Sequence, residues 1–123
     1  MRIVLVTSRQ ADLFRPFREA LAETPEDRVE VLHSAIDALD AVRHDLPHLV
    51  IVDDPVGEMS ALSVVRQLLE FNAFVNTAVL SNMDEEAFHE QSEGLGVLCR
   101  LPSVPGLEDA KTVRRLLGGV VAD

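Results

Sequence analysis

Five short aliphatic runs, each closed by polar or turn-forming residues, dictate most of what this chain can become: RIVLVT at 2–7, VEVLH at 29–33, HLVIVD at 48–53, TAVLS at 77–81 and VLCRL at 97–101. Each is strand-sized. Most are continuous rather than alternating, which suits strands covered on both faces in a parallel sheet. VEVLH departs from that pattern, with Glu30 between two valines, and is the expected edge strand.

Between the runs the apolar spacing becomes helical. In ADLFRPFREALAE, Leu13, Phe17 and Leu21 recur at steps of four, and Phe14 and Phe17 at a step of three. Pro16 must lie in the first turn, because its ring and missing amide would break a helix interior, so the helix is expected to start near Ala11 or Asp12. SAIDALDAVRHD opens with Ser34 three residues before Asp37, a capping-box-like start, and carries Ile36, Leu39 and Val42 along one expected face. ALSVVRQLLEF, DEEAFHEQSE and LEDAKTVRRLLGGVV complete the set, with short connections between them. Strand and helix alternating five times predict an α/β fold: a flavodoxin-like, doubly wound five-stranded parallel sheet of order 2-1-3-4-5 with helices on both faces. Its ligand site lies at the carboxyl ends of the first and third strands. Thr7, Ser8 and Arg9 follow the first strand, and Asp53, Asp54 and Pro55 close the third.

Composition narrows the class. With 123 residues, 47% of them hydrophobic and 26% charged, the chain suits one compact domain over 1–123, with no output domain expected beside it. Cys99 is the only cysteine, so neither an internal disulfide nor a structural zinc site is expected, and a reducing cytoplasm is the simplest compartment. Buried in an apolar strand, that thiol is expected to be inert. No run reads as a signal peptide or a spanning helix. A formal charge of −10 repels nucleic acid and anionic membrane, which leaves proteins as the expected partners. His33, His44, His48 and His89 show no ligand spacing, and no metal is expected from them. No glycine follows the first strand, against a dinucleotide or flavin phosphate site. No nucleophile with its base can be assembled from the strand ends, so enzymatic activity is not expected.

The stretch PHLVIVDDPVGEMSALSVVRQL, with TAVLS, GLGVLCRLP and a last helix containing VRRLL, resembles the CheY-like receiver domains of response regulators. The resemblance implies a role in two-component signalling. It places Asp53 at the phosphoacceptor position and Ser81 at the hydroxyl that contacts a phosphoryl group. It also implies Mg²⁺ held by two acids after the first strand together with the phosphoacceptor, but here those acids are Thr7 and Ser8. Mg²⁺ wants hard anionic oxygens in octahedral geometry, so Asp53 is left as the one charged ligand and no cofactor is expected. Leu101 stands where the family has lysine before a proline, here Pro102, whose peptide bond is usually cis in the family; Leu98 stands at the aromatic switch. Arg100 should point away from the pocket, since successive strand residues face opposite sides. Arg9 either pairs with Asp53, occupying space and charge that a metal would have supplied, or projects into solvent.

The expectation is a pseudo-receiver that signals by binding a protein, such as a histidine kinase or a downstream signalling protein, without Mg²⁺-dependent phosphorylation. One alternative is a working phosphorelay receiver using Mg²⁺ and Asp53, with Asp12 or Asp54 lending charge and Arg100 replacing the lysine. Another is a small-ligand sensor using the same crevice. The resemblance puts the partner surface on the fourth helix, fifth strand and fifth helix. There Glu85, Glu86 and Glu90 face the choice of a partner or of Lys111, Arg114 and Arg115 in a reciprocal homodimer.

Overall fold

The computed structural model describes residues 1–121. Its five strands are β1 (Arg2–Val6), β2 (Arg28–Leu32), β3 (Leu49–Val52), β4 (Thr77–Leu80) and β5 (Cys99–Leu101). All pair in parallel in the order β2-β1-β3-β4-β5, as the alternation of strand and helix predicts. The helices are α1 (Arg15–Leu21), α2 (Ala35–His44), α3 (Ala61–Phe71), α4 (Glu85–Ser92) and α5 (Leu107–Val121). None among the described residues is long and apolar enough to cross a membrane.

Alternation along the strands builds two apolar layers from one set of residues. Ile3, Leu5, Leu49, Ile51, Ala78 and Leu80 point to one side, where Phe14, Phe17 and Leu21 and the α5 residues Val113 and Leu117 cover them. Val4, Val6, Val50, Val52 and Val79 point to the other, against Ala38, Val42, Val64, Leu68 and Phe88 of α2, α3 and α4. β1 pairs with β3 without offset, Val6 beside Val52, so the next residues, Thr7 and Asp53, fall side by side on the α1/α5 side. The expected edge strand β2 is indeed only partly buried.

Three details differ from the sequence reading. A 3-10 turn over Ala11–Phe14 precedes α1. With about three residues per turn it keeps Phe14 in line with Phe17, so Phe14 is buried as the step of three suggests, while Leu13 turns outward and is exposed. In α2, Ile36 is 71% exposed; steps of three turn about 300° and drift off a helix face, so of the expected residues Val42 is buried and Leu39 packs partly against the core, and Ala38 joins Val42 in the buried stripe. β5 begins at Cys99 rather than Val97. Side-chain caps fix three helix starts: Ser34, Ser60 and Asp84 accept from the backbone N–H of Asp37, Ser63 and Ala87.

At the amino-terminal pole of the sheet, Asp27 gathers three donors. The Met1 ammonium lies 3.0 Å from it, the Thr24 N–H 3.0 Å and Arg114 Nη1 3.2 Å. Chiefly through the hydrogen bond from the Met1 amine, then that from Thr24, its pKa falls from 3.8 to about 2, against the opposing effect of burial. A carboxyl acidified by folding stabilises the fold above its unfolded pKa, and that contribution fades as pH drops from 3.8 towards about 2. Asp27→Asn is expected to lower stability at neutral pH and to flatten the acid limb of the stability curve in that window, as measured by urea denaturation across pH.

Candidate functional site

The ladder between β1 and β3 continues one residue past the strands, through the Asp53 N–H bonded to the Val6 carbonyl at 2.9 Å. This carries the Asp53 side chain to the carboxyl edge of the sheet at 3% exposure. Four donors meet it there. Oδ2 accepts from Thr7 Oγ1 at 2.7 Å and from Arg9 Nε at 2.8 Å. Oδ1 accepts from Arg9 Nη2 at 2.9 Å and from the Asp54 N–H at 2.8 Å. A carboxylate offers about four acceptor positions, so these bonds use its full capacity. The arginine contact is bidentate, the strongest form of this pairing.

Arg9 is itself held in place. Its backbone N–H donates to Thr7 Oγ1 at 3.0 Å, and Nη2 also donates to the Ser103 carbonyl at 2.6 Å. The guanidinium lies 4.9 Å from the centre of the Phe14 ring, a favourable cation–π distance. Of the two readings of Arg9, the ion pair is the one realised, and the 3-10 turn contributes to it by bringing Phe14 under the guanidinium. Ser8, Arg9, Asp53, Asp54, Pro55, Asn82 and Ser103 line an open cleft of about 240 Å³ at this edge.

No protein-family profile and no curated protein matches the sequence. Solved structures do match the fold over nearly the whole chain. The signal receiver domain of an HD domain-containing protein from Pseudomonas fluorescens Pf-5 is 17% identical with a TM-score of 0.77, covering 96% of this chain and 87% of that one. The chemotaxis response regulator CheY4 of Vibrio cholerae gives 15% and 0.77, with 94% and 97% covered. A Francisella response regulator receiver domain gives 12% and 0.79, with 97% and 98% covered. The chain has the receiver fold.

Within that fold, the oxygens around Asp53 do not suit the Mg²⁺ that the resemblance implies. The two positions after β1 offer neutral hydroxyls; the Thr7 hydroxyl already donates to Asp53, and the Asp53 acceptor sites are taken by Arg9, Thr7 and Asp54 N–H. A divalent cation would have to displace a guanidinium from the carboxylate it pairs with. Among the described residues no three His, Cys, Asp or Glu side chains group to hold a metal ion.

The other singled-out residues spread away from this centre. The Ser8 hydroxyl sits 3.5 Å from the Gly57 N–H. Asp54 Oδ1 accepts from the Ala61 N–H at 3.0 Å, so that carboxylate braces the start of α3. The Asp54–Pro55 peptide is the one cis bond among the described residues, so Leu101–Pro102 is trans. Ser81 makes no bond to Asp53; its Oγ accepts from the Met83 N–H at 3.1 Å. Strand parity explains this, since Val79 faces α3 and α4 and Ser81, two residues on, faces the same way. Leu101 is buried in the α1/α5 layer with Leu98 against it. Arg100 does point away, bonding Glu85 Oε1 and the Ser81 carbonyl, and Asp12 pairs with Arg15, so neither converges on Asp53. Cys99 is half-buried rather than fully buried, and burial, then Asp109 and Glu85, push its pKa up to about 11, so it stays a thiol at neutral pH.

One expected surface needs correction. Arg114 does not join the α4 face: it bonds Asp27, Glu23 and the Leu21 carbonyl, fastening α5 to the end of α1. On a helix it lies three residues from Lys111, but the row of α5 that reaches α1 claims it. Lys111 pairs with Glu108 on its own helix, and Glu85 pairs with Arg100. Glu86, Glu90 and Arg115 are exposed. The reciprocal basic set for a dimer is therefore smaller than the sequence suggests.

Removing one member of a buried ion pair costs about 3–5 kcal/mol. Arg9 is 34% exposed against 4% for Asp53, and that exposure reduces the expected loss for Arg9→Ala to about 2–3 kcal/mol. Arg9→Lys should lose less, keeping the charge but not the bidentate geometry. Urea denaturation of both variants at neutral pH checks the order.

Proposed function

We propose that this chain is a signalling module of the receiver type that works by protein contact and does not depend on Mg²⁺-dependent phosphorylation. The observation that carries the reading is the full commitment of the Asp53 carboxylate to Arg9, Thr7 and its neighbouring N–H. To accept a phosphoryl group, a carboxylate oxygen must be free to attack, and the transferring oxygens must meet preorganised positive charge. Here the attacking oxygens are tied down, the one cation present is spent on holding them, and Leu101 stands where the resemblance puts a lysine. Each missing preorganised donor costs about 3 kcal/mol of barrier.

In this reading Arg9 fills the role of a permanent counter-ion. It links the β1–α1 connection, the end of β3 and, through Ser103, the connection after β5. The domain is thereby held in one arrangement at its carboxyl edge. Its partner is a protein such as a histidine kinase or a downstream signalling protein, met on a surface that includes the exposed acids Glu86 and Glu90.

The test is incubation with acetyl phosphate and Mg²⁺, and separately with beryllofluoride and Mg²⁺, read by intact mass and by amide NMR. The expected result is an unmodified chain and unmoved Asp53 and Ser81 amides. Saturable modification at Asp53, lost in Asp53→Asn, overturns the proposal.

A further inference from the structure

A second cavity, of about 120 Å³, opens between the start of α3 and α4. The buried side chains of Val79 and Phe88 form apolar walls, and Asp54, Arg66, Ser81 and Gln91 add polar groups. This cavity, and not the cleft at Asp53, is the one that Ser81 lines.

Three polar groups here have unused capacity. Ser81 is 5% exposed; its oxygen accepts from the Met83 N–H, while its own proton has no acceptor among the described residues. A buried hydroxyl with an unspent proton is a donor waiting for an acceptor. Arg66 makes no ion pair among the described residues, although the chain has 21 acidic against 11 basic side chains. Asp54 uses Oδ1 to brace Ala61, and its Oδ2 bonds nothing among the described residues.

An unpaired cation, an anion with one free oxygen, a buried donor and apolar walls around one cavity describe a small zwitterion. We propose that this cavity binds a free α-amino acid with a short aliphatic side chain. Its carboxylate meets Arg66 and the Ser81 hydroxyl, its ammonium group meets Asp54, and its side chain lies against Val79 and Phe88. A simple carboxylate leaves Asp54 unmatched and repelled, and a simple amine does the same to Arg66. Binding at this place stands or falls independently of the phosphorylation reading, because Asp53 takes no part in it.

The experiment is an amide NMR titration of the full chain with glycine, alanine and valine, alongside propionate and propylamine, to millimolar concentration. Saturable shifts centred on Ala61, Ser81 and Gln91 are expected for alanine or valine and not for propionate or propylamine. Arg66→Gln and Asp54→Asn should each weaken binding by about tenfold, the scale of one charge-assisted hydrogen bond. Arg66 is exposed on α3, and Asn at 54 keeps the oxygen that braces Ala61, so both variants should fold, as thermal melting checks. The absence of saturable shifts, equal binding of propionate or propylamine, or undiminished binding in both variants overturns the proposal.

Discussion

A parallel strand covered on both sides must send consecutive side chains into different layers, and nearly everything at the carboxyl edge of this domain follows from that alternation. Thr7 and Asp53 continue the rows of Leu5 and Ile51, so they emerge together over the α1/α5 layer, beside Phe14. Ser81 continues the row of Val79 and emerges on the opposite side, against α3 and α4. One sheet thus separates two polar centres that lie close in the topology. The first is closed by an ion pair, and the second keeps unspent donors around a cavity.

The ion pair draws its strength from its surroundings as much as from charge. A carboxylate moved out of water loses several kcal/mol of solvation unless every acceptor site is matched. Arg9 matches two, Thr7 one and the backbone one. The second contact of Nη2, to Ser103, then joins a chain segment from the far side of the sheet. What would be a loose pair on a surface becomes a tie between three connections.

Strand identity, strand order and the edge position of β2 were legible in the sequence because burial on both faces writes itself as uninterrupted aliphatic runs. Asp53 was legible for the same reason, as a charge at the end of such a run. Helix faces were less so: Leu13 and Ile36 obey the expected spacing but lie outside the core, since a 3-10 turn and a three-residue step both rotate away from the ideal stripe. The contact of Arg9 with Ser103 uses a backbone carbonyl, which no side-chain pattern encodes. Arg114 was read as part of the partner surface because the resemblance puts that surface on the fourth helix, fifth strand and fifth helix, and Arg114 lies on the fifth. Its partners, Asp27 and Glu23, come from a turn with no local signal of that contact.

The saturation of Asp53 also makes a metal-binding pocket hard to build at this edge. An acid introduced at position 7 would face Asp53 as a like charge and lose the hydroxyl proton that now supports it. One at position 8 would compete with Asp53 for a guanidinium whose Nε and Nη2 are already bonded. Neither change gains anything until Arg9 is lost, and losing Arg9 first strands a buried carboxylate. Either order passes through a less stable protein, so the pair works as a latch against any such change.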